Sequence, residues 1–426
     1  MHLIVFSTVL TPRIKYIFNF IFRDILKAEV EFTGNSKFFL DSTNAKISYG
    51  DSPLADELFF KSSALLFSNK LEETKIKTIP FGDYQVPFPV QNSQLPFDVF
   101  AASFFILSRY EEYLHQQKTT DNFRANKSYQ SKWKILDRPI IDEWAMILRN
   151  IILTKYPQFK FHEKSFSQQP TINFDIPAQI PIGFINKTKF FLNTIVSKEN
   201  DFISAGFDRL TGLDVNVEQA LPTIVSYLRL KNVSPVFFVG FPDIPDDYTG
   251  ITGISKILNK TAVGLLRPCA SDKQKISNVK AGLVKLKKIL PDQVNLSSQQ
   301  LEVLKFPLCY LNLLNSAVTS DYSMGYAETP GFRAGTCTPF NWYDLQLEKV
   351  TALNVKSYCF TDAALEQLNT EDVNEIIAHF SHSVKVVNGT LVSSWQLRSL
   401  STHLKYKKLN NAFKQMLEHT GNQIHQ

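Results

Sequence analysis

The sequence of 426 residues has few cysteines, glycines and prolines, and each shortage excludes a class of protein. The four cysteines form no CxxC pair, which argues against a zinc ribbon or a disulfide scaffold and favours a reducing compartment; they are Cys269, Cys309, Cys337 and Cys359. With 16 Gly and 20 Pro, the chain has too little of either residue for a fibrous or low-complexity protein. A globular fold is therefore expected.

The sequence also lacks a strong excess of charge of one sign and lacks long apolar runs. The net charge is only +6 and no block of five like charges occurs, so nucleic acid is not predicted as a partner. The densest apolar run, Val99–Leu107, is short beside the roughly 20 residues that a membrane-spanning helix needs. The start, Met1–Leu10, lacks the basic region and the cleavage site of a signal peptide. We expect a soluble, cytoplasmic protein without a transmembrane segment.

The composition predicts a large core rich in aromatic residues, because 44% of the residues are hydrophobic and 35 are Phe. In the first half, the pattern predicts a buried strand at Leu3–Ser7, followed by a helix capped by Thr11. A mostly buried helix is predicted over Phe97–Leu114, and a helix with a single apolar stripe over Ile140–Leu153. The polar segment Glu163–Pro170 is predicted to be a linker.

Beyond residue 170, short apolar runs alternate with helical stretches, which is typical of βα units in a parallel sheet or barrel. The predicted strands are Thr171–Ile176, Pro235–Gly240, Ala262–Leu266, Val294–Ser297, Ser357–Thr361 and Thr390–Trp395. Helices are predicted at Lys275–Leu290 and Thr361–Phe380. The fold class is therefore α/β, with one domain over residues 1–165 and a second over 171–426. In such folds the chemistry lies at the carboxyl ends of the strands.

Two positions in the second half carry side chains suited to chemistry. Asp175 ends the first predicted strand, where an acid serves in catalysis or metal binding, or caps the next loop. Arg333 lies between Gly331 and Gly335, whose turns would fix its guanidinium against a carboxylate. A structural salt bridge is the alternative for Arg333.

Histidines are missing between His162 and His379, the region that holds most of the predicted strand ends. His379 and His382 have a spacing that suits a metal, but their polar context favours two surface histidines. The sequence contains no serine-centred elbow, no P-loop, no Rossmann glycine fingerprint and no HExxH motif. From the residues alone, the chain is a two-domain α/β protein with an isolated acid at a strand end.

Several longer segments resemble the polysaccharide deacetylases of Bacteroidetes type, including the domain that precedes the deacetylase domain. The segments of the first half are Leu95–Leu114 and Leu136–Trp144; those of the second half are Asn173–Ile176, Asp321–Ala327 and Gly331–Leu345. The resemblance implies an N-terminal α/β domain followed by a distorted (β/α) barrel. It also implies a metal-dependent hydrolase, in which zinc held by one Asp and two His activates a water.

The sequence departs from that family at most of the metal-site positions. By the resemblance, Asp175 matches the catalytic base and Arg333 the residue that orients it. Pro177 stands at a metal-ligand position, and Arg267 stands at a His position, or Leu266 if the alignment has a one-residue gap. Gln300 and Gln396 each replace a further His. Since Pro, Arg and Gln are poor or non-existent zinc ligands, no bound metal is expected.

Three hypotheses follow from this comparison. The first is a pseudoenzyme without metal, in which Arg267 pairs with Asp175 and the cleft binds a glycan or a partner protein. Aromatic residues that would suit sugar faces, although most are expected in the core, are Tyr322, Tyr326, Phe332, Trp342 and Trp395. The second is an atypical active deacetylase with a site rebuilt from Asp175, Cys269, Asp272 or Cys337. The third is a structural scaffold in polysaccharide biosynthesis. The sequence does not specify the glycan or the oligomeric state.

Overall fold

The computed structural model describes residues 2–73, 75–119, 122–176, 217–241, 251–266, 275–290, 295–299 and 304–418. Within these residues the strands are β1 (Leu3–Phe6), β2 (Val30–Thr33), β3 (Ala45–Gly50), β4 (Leu58–Lys61), β5 (Thr78–Phe81), β6 (Tyr84–Pro87), β7 (Ser167–Asp175), β8 (Val236–Gly240), β9 (Ala262–Leu266), β10 (Leu296–Ser298), β11 (Ser320–Asp321), β12 (Phe340–Asp344), β13 (Lys349–Val355) and β14 (Thr390–Gln396).

The α-helices in the same residues are α1 (Pro12–Asn19), α2 (Ser36–Asp41), α3 (Val99–Leu107), α4 (Tyr110–Lys118), α5 (Tyr129–Lys132), α6 (Ile140–Lys155), α7 (Val217–Leu230), α8 (Ile251–Leu258), α9 (Lys275–Ile289), α10 (Leu308–Asn315), α11 (Asp362–Glu366), α12 (Thr370–Val386) and α13 (Lys407–Glu418). A π-helix (Phe20–Ile25) continues α1. Short 3₁₀ turns lie at Ala64–Phe67, Ala125–Lys127, Leu397–Leu400 and Leu404–Tyr406. None of these helices is long and apolar enough to cross a membrane.

The first half of the chain contains a four-stranded parallel sheet in the order β2-β1-β3-β4 and the small hairpin of β5 and β6. The predicted start is confirmed: Thr11 caps α1 by accepting a hydrogen bond from the amide of Ile14 at 3.1 Å, and Pro12 occupies the first turn. The predicted helix over Phe97–Leu114 is divided in two, because Arg109 adopts a left-handed backbone with φ 57°.

The second half forms a curled sheet of eight strands in the order β12-β13-β11-β10-β9-β8-β7-β14. All neighbours are parallel except β12 and β13. Central strand β8 is buried along its whole length, as expected for a parallel strand covered on both faces. The predicted α/β class is thereby confirmed.

Two boundary predictions are wrong. The expected linker Glu163–Pro170 runs into β7, which begins at Ser167 and pairs there with Thr390 of β14. The expected strand Ser357–Thr361 lies outside the named strands and contributes one bridge, from Thr361 to Ser394.

The two halves share one hydrophobic core that runs from Leu3 to Leu417. Tyr16 of α1 packs against Tyr343 of β12, with tilted rings whose centroids are 4.8 Å apart, and donates to the carbonyl of Asn341 at 2.7 Å. Arg13, fully buried, forms two hydrogen bonds with Glu348 in the β12–β13 turn. The first half therefore covers the antiparallel end of the large sheet.

Candidate functional site

Asp175 lies at the carboxyl edge of the large sheet, as the last residue of β7. Asp175 pairs in register with Gly240, the last residue of β8. On the other side of β7, Asn173 pairs with Gln396, the last residue of β14. Asp175 is an exposed residue at this edge. The prediction that an acid closes the first strand of the second half is confirmed.

A polar face lies directly below Asp175. Since side chains alternate along a strand, Asn173 is on the same face as Asp175, one level deeper. Asn173 is fully buried and donates through Nδ2 to Ser394 Oγ at 2.9 Å. Within the part of the chain that the structure describes, its Oδ1 is buried and has no hydrogen-bond partner. A buried acceptor of this kind is costly unless a partner reaches it, so the position can accept a hydrogen bond from a ligand hydroxyl or from water.

Gln396 is held at this edge through its backbone. Its N–H donates to Oδ2 of Asp362 at 2.8 Å, and Asp362 is buried at the start of α11. Burial raises the pKa of Asp362, although hydrogen bonds from Ser399 and from two backbone amides oppose that rise. The neighbouring Trp395 is fully buried and donates from Nε1 to Ser393 Oγ at 2.9 Å, so it belongs to the core.

Tyr322 and Lys356 add two polar side chains at the carboxyl ends of β11 and β13. Ser297 pairs with Asp321 and Asp321 with Val355, which places Tyr322 and Lys356 one position further along neighbouring strands. The Nζ of Lys356 donates to Tyr322 Oη at 2.8 Å, and Tyr322 in turn donates to Gln169 at 3.2 Å. Burial lowers the pKa of Lys356.

Asp321, the last residue of β11, is a fully buried acid that the sequence did not single out by itself. Its carboxylate accepts from the hydroxyls of Ser297 and Ser323, both at 2.7 Å, and from the amide of Ser323 at 2.9 Å. Burial raises the pKa of Asp321, although these hydrogen bonds oppose the rise. Asp321 therefore fixes the turn after β11.

Arg333 pairs with a residue of the first half. Its Nε and Nη2 donate to the two carboxylate oxygens of Glu112, at 2.8 and 2.5 Å, and its Nη1 donates to the carbonyl of Gly325 at 3.0 Å. Burial alone would raise the pKa of Glu112, but Arg333 and Arg109 outweigh it and hold that pKa below its ordinary value. The structural salt bridge considered for Arg333 is thus observed, and its role in orienting Asp175 stays a prediction.

A second acid of the first half, Asp142, holds the loop after Arg333. Its carboxylate accepts from the hydroxyls of Thr336 and Thr338, both at 2.5 Å, and from the amide of Cys337 at 3.1 Å. Cys337 is a buried free thiol whose pKa is raised by burial, which does not suit the nucleophile that a rebuilt site would need. Cys359 is also a buried free thiol, whereas Cys309 is disulfide-bonded, contrary to the expectation from the spacing.

Three of the positions predicted from the resemblance, Pro177, Arg267 and Gln300, lie outside the described residues, as do Cys269 and Asp272. The pairing of Arg267 with Asp175 therefore stays a prediction. The five aromatic residues considered for sugar faces are all at most 5% exposed and belong to the core.

The described residues at the carboxyl edge do not fit a catalytic metal. Such a site needs about three ligands from carboxylates, imidazoles or thiolates, whereas Asp175 is accompanied here by the amides of Asn173 and Gln396. Across the described part of the chain, no group of three His, Cys, Asp or Glu residues could hold a metal. His379 instead pairs with Asp137 at 3.1 Å.

Residues 3–157 match a family model described as a family of unknown function, DUF7033. No curated protein sequence matches the chain. Among solved structures, the chain is similar to one described as a "putative polysaccharide deacetylase from Mycobacterium smegmatis", with 10% identity and a TM-score of 0.39. That similarity covers 62% of this chain and 87% of the other.

Sequence reasoning missed the partners of Arg333 and of the loop that follows it. Glu112 and Asp142 lie inside two of the segments that carried the family resemblance, each in the buried first turn of its helix. A charged residue on a helix face that is otherwise buried is a usable signal, because such a residue needs a partner.

Proposed function

We propose that this chain is a polysaccharide-deacetylase-like protein that has lost the metal, and that the carboxyl edge of its large sheet binds a glycan without hydrolysing it. In this proposal the curled sheet is a distorted barrel of the deacetylase type, formed by residues 171–426 and preceded by the α/β domain of residues 1–165. The observation that carries the proposal is Gln396, a neutral amide beside the strand of Asp175, at a position where the resemblance implies histidine.

The residue types at the edge support binding rather than hydrolysis. An amide oxygen is a weak, neutral ligand compared with imidazole, so Gln396 contributes little to holding a divalent cation. Amides and carboxylates are, in contrast, good partners for sugar hydroxyls, since together they both donate and accept hydrogen bonds. The exposed carboxylate of Asp175 and the buried acceptor of Asn173 give this edge polar groups at two depths.

Metal content is the first measurement. The purified protein is incubated with zinc and desalted, its metal is measured by elemental analysis, and release of acetate from N-acetylated chito-oligosaccharides is followed in parallel. We expect far less than one equivalent of zinc and no acetate release above the buffer. Zinc near one equivalent that is lost in Asp175→Ala would contradict the proposal and favour the active alternative.

Glycan binding is the second measurement, made by affinity electrophoresis in gels containing soluble acetylated polysaccharides. We expect retardation that weakens in Asp175→Ala and in Gln396→Ala. The matched control is Glu375→Ala, which removes an exposed acid on α12, distant in sequence from either edge residue. Equal retardation of all four proteins, or none for the wild type on any tested polysaccharide, would overturn binding at this edge.

A further inference from the structure

A cavity of about 200 Å³ lies in the first half of the chain, and the described residues that line it fall between Leu65 and Lys132. Its walls combine charged and aliphatic side chains with five aromatic rings, those of Phe88, Phe105, Tyr110, Phe123 and Tyr129. An apolar cavity of about 150 Å³ holds one benzene ring. The cavity therefore has room for one six-membered ring with few substituents.

Glu111 places a carboxyl group in the wall of this cavity. The residue is only 8% exposed. One carboxylate oxygen accepts from the amide of Tyr129 at 2.8 Å, and the other lies 3.5 Å from Nη2 of Arg109. Burial raises the pKa of Glu111 to about 7, although the Arg109 charge and the Tyr129 amide oppose the rise. The carboxyl group is thus fixed in direction at the cavity wall.

His115 adds a polar atom without a protein partner. It follows Glu111 by four residues on α4, so the two side chains share a helix face. The Nε2 of His115 is buried and, among the described residues, has no hydrogen-bond partner; the imidazole stands edge-on to Phe123 with ring centroids 5.2 Å apart. Because a buried nitrogen without a partner is costly, this atom indicates a place where a ligand supplies the missing hydrogen bond.

The charges around the cavity favour a neutral ligand. Three lysines line it: Lys118, Lys127 and Lys132. Lys118 is paired with Glu73 at 2.6 Å, and Lys132 lies over the ring of Tyr129 at 5.0 Å. The lining also contains the carboxyl groups of Glu73 and Glu111, so acids and lysines lie together at this cavity. A neutral ring whose hydroxyls both donate and accept hydrogen bonds matches both sets of groups.

We propose that this cavity is a second carbohydrate site, which takes a single pyranose ring. The aromatic walls pack against the ring faces, Glu111 bonds one hydroxyl, and His115 Nε2 bonds another. This proposal is independent of the proposed function at the carboxyl edge, because the two sets of residues are different.

The test uses saturation-transfer NMR on the full chain with methyl β-D-glucopyranoside and N-acetyl-D-glucosamine as probes, and uracil as a flat neutral comparison. We expect saturable binding of at least one sugar, weakened about tenfold or more in Glu111→Gln and in His115→Phe. Glu371→Gln, an exposed acid of α12, serves as the control and should bind as the wild type does.

A variant that fills the cavity keeps the test decisive if the polar variants fold poorly. Leu114→Trp enlarges a half-buried side chain of the cavity wall, and it should abolish sugar binding while its thermal unfolding midpoint stays near that of the wild type. Asp175→Ala should leave single-ring binding unchanged, which separates failure of this site from failure of the carboxyl edge. Absence of saturable sugar binding, binding of uracil instead, or full binding by Leu114→Trp would overturn the proposal.

Discussion

The carboxylate of Glu112 and the guanidinium of Arg333 form two hydrogen bonds, of 2.8 and 2.5 Å, although 221 residues separate them in the chain. Glu112 is fully buried and Arg333 nearly so. A second guanidinium, that of Arg109, also donates to Glu112, at 2.8 Å, and its Nη1 donates to the carbonyl of Arg333. Glu112, in the first half of the chain, thus neutralises the buried positive charge of Arg333 in the second half.

Removing one member of this pair should be strongly destabilising, because the other is left as a buried charge without a partner. We expect Glu112→Gln and Arg333→Met each to lower the free energy of unfolding by about 3–5 kcal/mol, measured by denaturant titration. Lys155→Ala removes the pair with the fully exposed Asp56 and should change stability little, because water and salt screen such a pair. Similar small losses in all three variants would show that the buried pair is not important for stability.

Asp142 should be the next most sensitive acid. Its carboxylate accepts three hydrogen bonds from the loop 336–338, two of them from hydroxyls. We expect Asp142→Asn to cost about 2–3 kcal/mol, since charge-assisted bonds are lost and an amide donor is introduced among donors. The neighbouring Glu143→Gln, whose partner Arg138 is partly exposed, should cost about 1 kcal/mol or less. The reverse order would contradict the role assigned to Asp142.

Glu111 should make stability depend on pH. Because burial raises its pKa from 4.5 to about 7, the folded protein keeps a proton there that the unfolded chain loses above pH 4.5. The stabilisation is complete below pH 4.5 and is lost as the pH rises to about 7, an effect of about 3 kcal/mol. Glu111→Gln should flatten the unfolding free energy over this interval. An unchanged slope in the variant would assign the dependence to other groups.

Gly325 should not tolerate a methyl group. A Cβ added there would lie 2.2 Å from the ring of Tyr358, which is buried. We expect Gly325→Ala to be destabilising, and its cost to be smaller in a Tyr358→Ala background, as a double-mutant cycle would measure. Gly253→Ala on α8, where a Cβ meets nothing within 4 Å, is the matched control and should be neutral or slightly stabilising. Additive costs would show that the cost of Gly325→Ala does not come from contact with the Tyr358 ring.

The sequence predicted the parallel part of the large sheet well. Strands β7, β8, β9, β10 and β14 lie where short apolar runs were expected, with shifts of a few residues at their ends. The hairpin of β12 and β13 was not predicted, because β13 is largely exposed at its start and carries no continuous apolar run. The break at Arg109 was also missed, since its left-handed backbone accompanies contacts with the second half that no local pattern encodes.

The candidate site was predicted only in part for a similar reason. Asp175 could be placed from its position at a strand end. The partners of Arg333 could not, because long-range pairs such as Glu112 depend on how the two halves pack. Gly335 illustrates the same point: its φ of 67° suits glycine, but its close approach to Ile106 is visible only in three dimensions.

Because the two halves share one core, neither half of this chain is expected to be cut off or exchanged without loss of stability. The family model ends at residue 157, yet the ion pairs of Glu112 and Arg13 and the hydrogen bonds of Asp142 all cross that boundary. A fragment cut there would carry buried carboxylates or guanidiniums with no counterpart. A gene that exchanged one half for another would therefore have to bring the matching charges with it, so the two halves are expected to change together.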